Sequence, residues 1–145
     1  LDSGTLPWAK IPSAYVALRL IGCGAPVAYL VHAVFAIMIA ATVFWVWWRR
    51  PPLLLAGAVL VAGAVLVPPY LFDYDLVLLA IPIAVITRDA LTEGWLAGER
   101  EALVLAWLTP LLAPAVTEHV GVPVAIMSLV ALFVVCVRRA LARTH

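Results

Sequence analysis

From Pro26 to Trp48 the chain carries no Asp, Glu, Lys or Arg. At its far end Trp45, Trp47 and Trp48 are followed at once by Arg49-Arg50-Pro51-Pro52. About 20 apolar residues suffice to cross a hydrocarbon core of ~30 Å. Indoles next to arginines are the usual furniture of a membrane–water interface. Apolar runs of roughly 17–23 residues recur along the chain and leave room for no separate soluble domain. Residues are 66% hydrophobic and 12% charged, against about 45–50% and about 25% in soluble domains. The sequence therefore predicts an all-α, polytopic transmembrane helical bundle of about five spans plus a short interfacial helix. A net charge of +1 gives no reason to expect nucleic acid as a partner.

Residues 1–12 are polar and turn-rich. Ser13 to Ile21 reads as a short amphipathic helix, with Ser13 as N-cap, Gly22 and Gly24 at its end, and Arg19 four residues after Tyr15. The first span runs from Pro26 to Trp48 and the second from Leu53 to Val67. In the second, Gly57, Gly63 and four alanines make a small-residue face suited to close helix packing. The third runs from about Tyr70 to Ile86, with a kink expected at Pro82. Thr87 to Glu101 reads as a polar connector. The fourth, Ala102 to Val116, is expected to be interrupted at Pro110 and Pro114, with Glu118 and His119 in a turn. The fifth runs from Val122 to Val137 and is closed by Arg138, Arg139 and Arg143.

Basic residues test this alternation. If Arg49-Arg50 is cytoplasmic, then Arg88, Arg100, Arg138, Arg139 and Arg143 fall on the same side, and only Lys10 and Arg19 fall on the other. The expected layout is an extracytoplasmic loop with the interfacial helix over 1–25, transmembrane helices over 26–137 and a cytoplasmic tail over 138–145. The expected location is the plasma (inner) membrane, multi-pass. Leu1-Asp2-Ser3-Gly4 opens the chain without a basic n-region or a cleavage site, so no signal peptide is read and the chain is expected to be the C-terminal part of a longer protein. Cys23 and Cys136 would lie near opposite faces and are expected not to pair, each packing as a small apolar residue.

Two carboxylates, Asp73 and Asp75, fall between long apolar runs in Tyr70-Leu-Phe-Asp-Tyr-Asp-Leu76. Carboxylates at a membrane edge are costly and usually face water or a partner. With Lys10 and Arg19 they share the outer face. Cations there suit a phosphate-bearing lipid head group, and a carboxylate suits an acceptor hydroxyl. Alternatively Lys10 and Arg19 snorkel to lipid head groups while Asp73 and Asp75 cap a helix. Residues two apart on a helix point to different faces, so the Asp-x-Asp pair gives no expected metal site. His32, two turns into the first span, is read either as a proton relay or donor to a phosphate, or as a hydrogen-bonded packing residue. Glu93, Glu99, Arg100 and Glu101 read as a solvated face. No phosphate-binding glycine loop, paired-cysteine motif or His-Glu-x-x-His motif occurs, so no cofactor is expected.

Lys10-Ile-Pro-Ser13, Ala17-Leu-Arg-Leu-Ile-Gly22, Pro26-x-Ala28-Tyr29 and Pro69-Tyr-Leu-Phe-Asp-Tyr-Asp-Leu-Val-Leu-Leu-Ala80 together resemble the C-terminal half of glycosyltransferase family 87. The resemblance covers about Lys10 to Ala97. It implies a GT-C fold and inverting transfer of mannose or a related hexose from a polyprenyl-phosphate donor to an extracytoplasmic acceptor. Lys10 and Arg19 would then lie near the donor phosphate and Asp73 with Asp75 on the cavity wall. The family's base lies in the first extracytoplasmic loop, and no residue here matches it. The catalytic residue is therefore unknown, and this chain alone is expected to be inactive without the remaining N-terminal transmembrane helices. Lipid-linked sugar and membrane lipid are the partners implied. The rival readings are a transporter or flippase component with a charged cavity, and a structural subunit that docks through the small-residue face of the second span.

Overall fold

A computed structural model describes the backbone of residues 14–20, 22–70, 73–120 and 124–144, with all side chains in them except those of 20, 73, 74, 113–115, 117–120 and 124. The described residues are helical, with no strand among them. Six α-helices follow one another: α1 (Ala14–Leu20), α2 (Ala25–Trp48), α3 (Leu53–Leu66), α4 (Ala80–Glu93), α5 (Glu99–Val120) and α6 (Val124–Ala142). A 3₁₀ segment, Asp73–Leu79, leads directly into α4. Two of the helices, α2 and α6, are long and apolar enough to cross a membrane, whereas α3 is apolar but has 14 residues.

The long helices alternate in direction. His32 in the first half of α2 meets Val67 just past the end of α3, and Thr109 in α5 meets Ser128 in α6. One end of the bundle gathers Tyr15, Tyr29 and Tyr70; the other gathers Arg139, Arg143 and the Gly94–Gly98 connector. We call them the tyrosine end and the arginine end.

Helix α3 is the axis of packing, with eight of its residues buried, against four of the 24 in α2. Its small face, including Ala56, Ala58, Ala62 and Gly63, is turned inward. A Cβ on Gly63 would stand 2.8 Å from Val43 and 3.3 Å from both Ile39 and Phe133. The close approach allowed by these small residues is thus used within the chain, between α2, α3 and α6, and this part of the face is not available for docking another protein.

Helix ends follow local chemistry at three glycines. At Gly22 (φ 91°) the Gly22 N–H donates to Arg19 O and the Cys23 N–H to Leu18 O, a paired arrangement that closes α1. Gly94 (φ 87°) ends α4, and Gly98 (φ 82°) precedes α5.

Several boundaries differ from the sequence expectation. The polar stretch after Ile86 continues α4 to Glu93, because Arg88, Asp89 and Glu93 are tolerated in a helix and the chain turns only at Gly94. Pro110 and Pro114 do not interrupt α5. The backbone of Glu118 and His119 lies in its last turn instead of a turn between helices; their side chains lie outside the described residues. The third run starts as a 3₁₀ segment at Asp73, not as an α-helix near Tyr70. Pro82 is the physical reason to expect a change of winding here: it has no N–H to give to Leu78 O and its ring crowds that carbonyl. The 3₁₀ segment and α4 together rise about 35 Å. Finally, α6 runs past Val137 to Ala142 and takes Arg138 and Arg139 into the helix.

Candidate functional site

At the tyrosine end, Arg19 in α1 is half-buried and its Nη1 donates to Cys23 O at 3.0 Å, which braces the turn into α2. Tyr15 and Val16 on the same short helix are buried. The Tyr15 ring lies 4.3 Å from the Tyr29 ring, tilted by 32°, and meets the Tyr70 ring edge-on at 5.6 Å. Such offset and edge-to-face pairs are the favoured aromatic geometries. The hydroxyls of Tyr29 and Tyr70 are hydrogen-bonded to each other. These rings join the consecutive α1 and start of α2 to the exit from α3, 41 residues on from Tyr29.

The Tyr70 hydroxyl is held far above its usual pKa of 10.0, mainly because its proton is engaged with Tyr29 and secondarily because it is desolvated. Burial raises Tyr15 as well, and the nearby Arg19 cation offsets part of that rise. Both phenols therefore stay protonated near neutral pH, as hydroxyl donors. One helical turn below Tyr29, His32 is buried and its Nε2 donates to Val67 O at 2.9 Å. That bond places a proton on Nε2, and Nδ1 has no hydrogen-bond partner among the described residues.

Of the sequence candidates, Arg19, His32 and Asp75 are described in full. Arg19 and His32 belong to this end, and Asp75 is a half-buried, partnered residue of the 3₁₀ segment. Asp73 opens that segment through its backbone, and its side chain lies outside the described residues; Lys10 lies outside them entirely. No group of three or more metal-ligating side chains occurs among the described residues. Cys136 is buried, Cys23 is half-buried, and both are free thiols. Sequence reasoning singled out neither Tyr15 nor the Tyr29–Tyr70 pair. The available signal was one tyrosine in each segment meeting at the predicted outer face.

The arginine end overturns a reading more sharply. Arg139 and Glu99 are 2% and 1% exposed, so they are neither a basic flank nor a solvated face. Arg139 Nε donates to Asp89 Oδ2 at 2.6 Å, and Nη1 donates to Glu99 Oε2 at 3.0 Å and to Gly94 O at 2.8 Å. Glu99 also accepts the Leu96 N–H at 2.8 Å, as the acid of a capping box does at a helix start. Arg143 adds exposed pairs to Glu93 at 2.7 Å and to Asp89 at 3.8 Å. One guanidinium thus binds α4, the connector and α5 to α6. Arg138 donates to Ala97 O at 3.1 Å on the outside.

Comparison with family models, with curated proteins and with solved structures finds no match to this chain. The likeness to glycosyltransferase family 87 rests on the sequence motifs alone.

Proposed function

We propose that this chain is part of a membrane glycosyltransferase of the GT-C class that moves a hexose, mannose in our reading, from a polyprenyl-phosphate donor to an extracytoplasmic acceptor. In this reading α2 to α6 are five spans, α1 rests at the outer interface, the arginine end faces the cytoplasm and the host membrane is the plasma (inner) membrane. The observation that carries it is the gathering of Arg19, two engaged tyrosine hydroxyls and His32 at the end of the bundle from which the Asp73–Leu79 segment starts. A cation and neutral hydroxyl donors suit a ligand that joins a phosphate to a sugar. The acceptor oxygen would attack the anomeric carbon, the bond from that carbon to the phosphate oxygen would break with inversion, and the proton would pass to a base. That base is expected in the first outer loop of such enzymes. Lys10 and Arg19 would hold the leaving phosphate, and Asp73 and Asp75 would face the acceptor side.

A transporter would draw its support from helices broken at proline: α5 runs unbroken through Pro110 and Pro114, while the 3₁₀ segment gives way to α4 just before Pro82. The structural-subunit reading needs a free small-residue face, and most of that face is buried inside the chain.

The test is transfer of labelled mannose from polyprenyl-phosphate mannose in membranes carrying the full-length protein. Lys10→Ala and Asp73→Asn are each expected to lower transfer at least about tenfold, the effect of losing one charge-assisted contact. Unchanged transfer in both would sink the assignment.

A further inference from the structure

Helices α4 and α5 are consecutive, yet α5 packs mainly on α6 and touches α4 sparingly. The space between them is an open groove. Clefts of about 490 Å³ and about 410 Å³ share Ile83, Trp107 and Leu108, and so form one channel along the two helices. Leu76 and Leu111 line one end, next to Asp75 in sequence; Trp95 and Arg100 line the other. Apart from Thr87 and Arg100, every lining residue is apolar. Arg100 is exposed, lies over the Trp95 ring at 5.0 Å, and is paired with no carboxylate among the described residues. The neighbouring acids Asp89, Glu93 and Glu99 are engaged with Arg139 and Arg143.

We propose that this groove holds one hydrocarbon chain of an anionic glycerophospholipid, with the lipid phosphate on Arg100. Charge complementarity sets the direction: the Arg100 cation stands at one end of the groove, and the residues that line the other end, Leu76 and Leu111 among them, are apolar. Length agrees. Arg100 to Leu111 rises roughly 17 Å along α5, about one leaflet of a ~30 Å hydrocarbon core. An indole beside the cation is a side chain suited to the head-group level. The inference needs the bundle to lie in a membrane and does not depend on sugar transfer, since the phosphate site is at the end opposite Arg19 and His32.

The experiment is native mass spectrometry of the full chain after reconstitution in equal mixtures of phosphatidylglycerol and phosphatidylcholine. The wild type is expected to retain phosphatidylglycerol with about tenfold preference, because its phosphate meets Arg100 unopposed whereas the choline ammonium of phosphatidylcholine offsets that attraction. Arg100→Gln is expected to bring that preference to near parity while total bound lipid persists. Ala80→Phe, at an exposed groove position, is expected to lower retention of both lipids. Equal retention by the wild type, or a preference that survives Arg100→Gln, would overturn the proposal. So would a dimer mass in place of lipid adducts, which would put a second copy of the chain against the groove. Arg100 is on the surface, so its variant tests the idea even if Ala80→Phe fails to fold.

Discussion

The two ends of the bundle are held together by different physics. At the arginine end a buried guanidinium is shared between two carboxylates and a carbonyl drawn from three elements. At the tyrosine end three rings stack and two hydroxyls bond, with Tyr29 and Tyr70 half-exposed. A buried charge network stabilises only while it is complete, because each partner removed strands another charge away from water. Stacked, half-exposed rings lose contacts piecemeal. The arginine end should therefore be brittle and the tyrosine end adaptable.

The sharpest break is Arg139→Ala. Glu99 would be left buried without its cation, and the expected loss is about 3–5 kcal/mol in thermal or denaturant unfolding in detergent. Replacing the cluster together, as Arg139→Met with Glu99→Met and Asp89→Leu, is expected to recover most of that. A triple variant as unstable as Arg139→Ala would show that the network contributes stability beyond mutual compensation. At the other end, His32→Leu removes the donor to Val67 O and is expected to cost about 1 kcal/mol. Tyr70→Phe is expected to cost less, about 0.5 kcal/mol, since the bond lost is exposed. Its pH signature is specific. The folded-state pKa of Tyr70 is raised above 10.0, so its contribution is full below pH 10, is lost as pH climbs through the folded-state value, and should vanish from the pH–stability curve of the variant. The smallest effect is Arg143→Ala, whose exposed pairs are screened by solvent; a change under about 0.5 kcal/mol is expected. If Tyr70→Phe proved costlier than Arg139→Ala, the contrast between the ends would be wrong.

The helical character and the order of the long helices were legible in the sequence, because apolar runs and glycine stops act locally; of the five expected spans, two, α2 and α6, are long and apolar enough to cross a membrane among the described residues. Gly22 and Gly94 mark ends whose backbone angles only glycine adopts readily. Proline was over-read. An interruption was expected at Pro110 and Pro114, whereas a helix packed among neighbours can absorb the lost bonds, and Thr109 in that turn engages both Leu105 O and Ser128. Charge partners were not legible. Glu99, Arg100 and Glu101 read as an exposed face because alternating signs look solvated, and no local pattern shows that Glu99 alone turns inward to meet a residue 40 positions on. Likewise, Ala56 to Gly63 announces close packing without naming the helix that approaches. For the candidate site, Arg19 and His32 fall at one end as the sequence suggested, Asp75 belongs to the segment that starts there, and the tyrosines that join that end went unnoticed because 41 residues separate Tyr29 from Tyr70.

Arg139 has a bearing on how the chain is made. Asp89 and Glu99 leave the ribosome long before their shared cation does. Until α6 arrives, both acids must stay hydrated at the rim of an unfinished bundle, and the α4–α5 hairpin cannot settle. The last helix is thus a closing latch.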